Sequence, residues 1–159
     1  MFKISRISFG ATAAIVSSMA FIVGLDAIEA SKKTIISALL IAAFADNLTD
    51  SLSVHIYQES RRLAQDEAVA GTLTNFAARL AICLSFVLLV AALPMPLALA
   101  AALVWGTLLL AGLSYIIARK RGIGTVSEVV KHLVVAFAVI FVSKGIGILI
   151  SREFAVWWP

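Results

Sequence analysis

Five apolar runs, each close to the length of a bilayer crossing and each stopped by charge, proline or glycine, limit this chain more than any other feature. They fall at about residues 8–25, 34–56, 71–93, 97–118 and 129–150. A hydrocarbon core of ~30 Å takes ~20 helical residues at 1.5 Å of rise each. Five crossings and their connectors therefore use up all 159 residues, and the chain 1–159 reads as one membrane domain with no room for a soluble one. Backbone groups in lipid must be hydrogen-bonded within their own segment, and the alternation of a barrel strand is absent, so every run reads as a helix. The fold predicted is all-α: a polytopic, multi-pass integral membrane protein of five transmembrane helices whose first partner is the lipid bilayer.

Composition supports this and excludes other classes. Hydrophobic residues make up 62% of the chain, against roughly 45–50% in ordinary soluble domains. The net charge of +4 does not indicate a nucleic-acid partner, because the basic residues sit in small groups at the ends of apolar runs rather than on one face. Cys83 is the one cysteine, so an intrachain disulfide and a two-cysteine metal site are both excluded. The first run follows Lys3 and Arg6 as the h-region of a secretory signal would, but it is long for one, and Asp26-Ala27-Ile28-Glu29-Ala30 offers no small-x-small cleavage triplet.

Lys and Arg collect in cytoplasmic loops. With the N-terminus inside, Lys3, Arg6, Arg61, Arg62, Arg119, Lys120, Arg121 and Lys131 face the cytoplasm, against Lys32, Lys33 and Arg152 outside. The eight-to-three bias predicts N-in/C-out, with Trp157 and Trp158 as an interfacial anchor. The expected connectors are a polar loop over 57–70, a tight reversal at Pro94-Met95-Pro96, and a glycine-containing link after Arg121.

Ionisable groups at membrane depth are expensive, which makes each a candidate for function. At ~100° per residue, Asp46, Asp50, Ser53 and Tyr57 share a narrow arc of the second helix, with Asp46 and Asp50 one turn apart. Two desolvated carboxylates so close need a cation, a shared proton or a basic partner. A hard or borderline divalent ion such as Fe²⁺ or Mn²⁺ suits oxygen ligands; a proton relay suits titrating carboxyls; an ion pair needs a matched cation. Arg79 supplies that cation, lying about as deep in the third helix as the two acids lie in the second.

Asn47, beside the acids, is a weaker candidate, as are Ser53, Met19 as a soft ligand in helix one, and Glu59 as a cation-gathering charge at a pore mouth. Met19 also suits plain core packing. His55 points to the opposite side of helix two from the acids. Lys144, well into the fifth run, suits snorkelling toward Asp26 or Glu29. No nucleophile with a base and no phosphate-binding loop is present, so the chain does not read as an enzyme, and no bound cofactor is implied.

The stretch Ala45-Asp46-Asn47-Leu48-Thr49-Asp50-Ser51-Leu52-Ser53-Val54 resembles part of the vacuolar iron transporter family, in which a methionine is followed four residues on by a glutamate and then a Ser-Val step. Phe9-Gly10-Ala11-Thr12-Ala13-Ala14-Ile15-Val16-Ser17-Ser18 is similar to the family's opening Gly-x-x-Asp-Gly segment, and Gly145-Ile146-Gly147 to part of its last helix. The resemblance implies five transmembrane helices, a homodimer, and exchange of Fe²⁺ or Mn²⁺ for protons. It puts Asp50 in the place of a metal-binding glutamate and Asp46 in that of the methionine. It also puts Ala13 where the family carries a metal-ligating aspartate and Ala14 where a glycine follows. The family's cytoplasmic metal-binding insertion between helices two and three is replaced by the short segment 57–70, as in family branches that lack it.

Two functions follow as expectations. One is a proton-coupled divalent-cation transporter in which Asp46 and Asp50 of two subunits face each other. The other is a non-transporting membrane scaffold derived from the same fold, its helix-two acids neutralised by Arg79.

Overall fold

The computed structural model describes residues 4–60 and 65–154, with side-chain surroundings for 9–60 and 65–153. Five helices follow in order: α1 (Ile4–Asp26), α2 (Lys32–Ser60), α3 (Gln65–Ala92), α4 (Met95–Arg121) and α5 (Thr125–Phe154). All five are long and apolar enough to cross a membrane. Each starts before the apolar run that marks it, and all but α3 also end beyond it, because helical hydrogen bonding continues into polar flanks where hydropathy has already fallen. The largest correction concerns 57–70, expected as a loop: α2 runs on through Ser60, and α3 begins at Gln65. Asp66 and Glu67 occupy the first turn of α3, where carboxylates favour the exposed N–H groups of a helix start. Arg61, Arg62, Trp157 and Trp158 lie outside the described residues.

Local chemistry fixes the turns. The Ser31 hydroxyl accepts from the Thr34 N–H at 3.1 Å and so caps α2. Lys32 then reaches across to donate to the carbonyls of Ala91 (2.8 Å) and Leu93 (3.0 Å), satisfying acceptors at the end of α3. Pro94 is extended at φ −63°, ψ 149° and starts α4 after the shortest reversal in the chain. Gly122 closes α4 in the left-handed conformation at φ 67°, its N–H on Arg119 O and that of Ile123 on Ala118 O, the paired geometry that favours glycine.

The bundle is built around α1, which packs against all four other helices; α2 lies against α3, α3 against α4, and α4 against α5. Helices α2 and α5 both pack on α1, and of the described α1 side chains only Phe9 and Phe21 are exposed. Small residues set the spacing. A Cβ at Gly147 would stand 2.5 Å from the Gly24 carbonyl oxygen, and the Ser143 hydroxyl donates to Ala20 O at 2.6 Å, so α5 crosses α1 in close contact there. Met19 is fully buried against Gly106 of α4, in a core with Ile15, Ile22, Leu39, Phe86 and Leu110.

The exterior inverts the usual pattern. Phe9, Leu73, Leu88, Val126 and Phe141 stand exposed, while Asn47, Asn75, Arg79 and Ser114 are buried.

Candidate functional site

The polar interior lies where α1, α2 and α3 meet. Ile35, Leu39, Ala43, Asn47 and Ser51 form the buried stripe of α2, spaced every four residues. On α3 the matching stripe is Ala68, Gly71, Asn75, Arg79, Cys83, Phe86 and Val90. Asn47 donates from Nδ2 to the Phe76 carbonyl at 2.9 Å, and Asn75 Oδ1 accepts from the Gly10 N–H at 3.1 Å. Gly10 is the contact that admits α1. A Cβ there would collide with the Asn75 side chain and sit 2.8 Å from Arg79 Cδ.

Arg79 and Asp50 are brought together. The guanidinium Nη1 donates to Asp50 Oδ2, with the Arg79 side chain almost wholly buried and that of Asp50 36% exposed. Of the two pairings that matched depth allowed, the structure has Arg79 with Asp50 and not with Asp46.

Asp46 stands apart. It is at the midpoint of the 29-residue α2, one turn before Asp50, exposed, and without a hydrogen bond or ion pair among the described residues. It shares its exposed face with Ser53 and Tyr57, as the helical arc requires. The Ser53 hydroxyl is turned back onto the Thr49 carbonyl at 3.0 Å. Among the described residues no group of three or more His, Cys, Asp and Glu side chains forms within one chain.

The weaker candidates are placed as follows. Asn47 faces inward and ties α2 to α3. Glu59 is exposed and paired with His55 Nε2 at 3.4 Å, and His55 turns toward Thr72 of α3, away from Asp46. Met19 lies in the apolar core. Lys144 is exposed and makes no ion pair with Asp26 or Glu29 among the described residues. Ser143 and Gly147 are the α5 residues turned to α1, and Lys144 lies about 100° around the helix from Ser143.

Sequence reasoning passed over Asn75 and Ser51, both buried, and the pair in which His132 Nδ1 meets the buried Ser114 hydroxyl at 2.8 Å between α4 and α5. A signal for Asn75 was present. It lies four residues after Gly71 and four before Arg79, on the stripe of α3 that must face its neighbours.

No protein-family model matches the chain, and no curated protein or solved structure shows significant similarity to it.

Proposed function

We propose that the chain is a multi-pass integral membrane protein, oriented N-in/C-out, that works as a homodimer and exchanges a divalent cation, Fe²⁺ or Mn²⁺, for protons. Asp46 carries this reading. A carboxylate exposed at the midpoint of a membrane-crossing helix would face hydrocarbon, at a cost of several kcal/mol. It is tolerated when a partner covers it and an opposite charge neutralises it.

The exposed face of α2 that carries Asp46, Ser53 and Tyr57 leaves room for a second copy. Two subunits meeting there across a two-fold axis would bring two Asp46 carboxylates together, with the two Asp50 carboxylates one turn away. Arg79 already neutralises each Asp50. The site then carries two uncompensated negative charges, which one divalent cation or two protons would cancel. Exchange of one M²⁺ for two protons therefore passes the membrane centre without leaving net charge there. Asp50 adds oxygen as well, since Arg79 contacts Oδ2 and leaves Oδ1 for a cation. An all-carboxylate set suits Mn²⁺ and Fe²⁺ better than softer ions. The likeness to the vacuolar iron transporters points to the same cargo, with Asp46 making up for the ligand that Ala13 does not supply.

The stoichiometry is the test. Titrating detergent-solubilised protein with Mn²⁺ and following the free-ion electron paramagnetic resonance signal should give one tight site per two chains, with light scattering reporting a dimer. A monomer with no saturable Mn²⁺ uptake would refute the arrangement.

The Arg79–Asp50 contact favours a second reading, a non-transporting scaffold in which the pair only holds α2 to α3. That reading leaves Asp46 without a role, which is why transport is preferred.

A further inference from the structure

Within the polar interior, several buried side-chain atoms have no partner among the described residues: Asn47 Oδ1, Ser51 Oγ, Gln58 Oε1, Asn75 Nδ2 and Arg79 Nε. Asn47, Asn75, Arg79 and Ser51 are each more than nine-tenths buried. An orphaned buried donor or acceptor costs about 1–3 kcal/mol, so a cluster of them in one interface calls for something to bond to. The atoms are also ordered. At ~100° per residue, Asn47, Ser51 and Gln58 fall within about 40° of each other on α2, spanning eleven residues or ~16 Å. Asn75 and Arg79 are one turn apart on the facing stripe of α3, and Gln58 lies against Gly71 on that same stripe. The line runs from the last turn of α2 to the Arg79–Asp50 pair.

The chemistry of the set selects its occupant. A cation would need acceptors alone and an anion donors alone. Here Asn75 and Arg79 offer donors, Asn47 and Gln58 offer acceptors, and Ser51 can do either. Water, which gives and takes at once and typically makes two to four bonds in buried sites, fits such a mixture.

We infer that a file of internal water molecules lies between α2 and α3 beneath α1, joining Asp50 to the α2–α3 end of the bundle past Ser51 and Gln58. On the transport reading proposed above, this file is the route by which protons reach the helix-two acids, separate from the outer face of α2 on which Asp46 meets the cation. The presence of the water does not depend on that reading.

Water-edited solid-state NMR of ¹⁵N-labelled protein in lipid bilayers reads the file directly. Magnetisation from water should reach Arg79 Nε and Asn75 Nδ2 as readily as the exposed backbone amides of Ser31 and Lys33, while the backbone amides of Phe86 and Val90, fully buried among apolar side chains of α3, stay dark. Ser51→Val, which puts methyl groups into the middle of the line, should abolish the transfer to Arg79 Nε, which lies beyond it. Dark Arg79 and Asn75 side chains in folded wild-type protein would overturn the inference, and so would a wild-type signal at Arg79 Nε in Ser51→Val. The same preparations in vesicles loaded with a pH dye separate the two ideas. Bright side chains without any Mn²⁺-driven proton movement would retire the exchange reading and leave the water file standing.

Discussion

Vesicles carrying Asp46→Asn should take up no more Mn²⁺ than protein-free vesicles, while the variant stays folded and elutes as wild type does. The amide keeps the size of the carboxylate and removes its charge, so the two-fold site proposed above would lose both uncompensated negative charges and have nothing left with which to neutralise a divalent ion. Even an outer-shell partner of a metal ligand is worth about 10–100-fold in affinity, and the ligand itself is worth at least the upper end of that range. Folding should be unaffected or slightly improved, because Asp46 makes no hydrogen bond or ion pair among the described residues and, on the membrane reading proposed above, its charge would be a burden at the middle of α2. Asp50→Asn should also stop transport, but with a loss of stability, since it strands Arg79. Uptake by Asp46→Asn equal to wild type would remove Asp46 from the site.

Arg79→Ala should destabilise the protein by about 3 kcal/mol, the lower end of what breaking a buried pair costs, because Asp50 keeps part of its surface exposed. For a chain of this size that is a fall in Tm of about 10 °C. Three losses add up: the bond to Asp50, the packing of Cδ against Gly10, and the filling of the α1–α2–α3 junction. Arg79→Lys should recover only part, because an ammonium cannot reproduce the planar fork. Adding Asp50→Asn to Arg79→Ala should restore some stability, since the stranded charge is then gone. Thermal unfolding in detergent, followed by circular dichroism, measures all three variants. An unchanged Tm for Arg79→Ala would mean that the pair does not hold α2 to α3.

Much of this was legible in the amino-acid sequence, for physical reasons. Apolar runs of bilayer length, stopped by Pro94 and by Arg119-Lys120-Arg121-Gly122, leave a helix little choice of place, and all five helices stand where they were expected. Depth alone allowed Arg79 to meet either Asp46 or Asp50, and the structure pairs it with Asp50. The helix ends were not legible, because Gln65 to Ala70 is polar enough to pass for a loop while Asp66 and Glu67 support a helix start. Nor was the rotation of each helix. In α2, Asp46 and Asn47 are neighbours of similar size and polarity, yet one is exposed and the other fully buried. The choice is made by contacts that no single stretch contains, such as Gly10 against Asn75 and Gly106 against Met19. The pairing of His132 with Ser114 is of the same kind, a product of how α4 and α5 cross.

Uptake of Mn²⁺ and Fe²⁺ into proteoliposomes under an imposed pH gradient, with the proton flux recorded alongside, bears most directly on the exchange mechanism. Wild-type protein should accumulate the ion only when the lumen is acidic, release two protons per ion, and generate no membrane potential. Folded, dimeric protein that moves neither ion at any gradient would contradict it and leave the Arg79–Asp50 pair as the fastening of a scaffold.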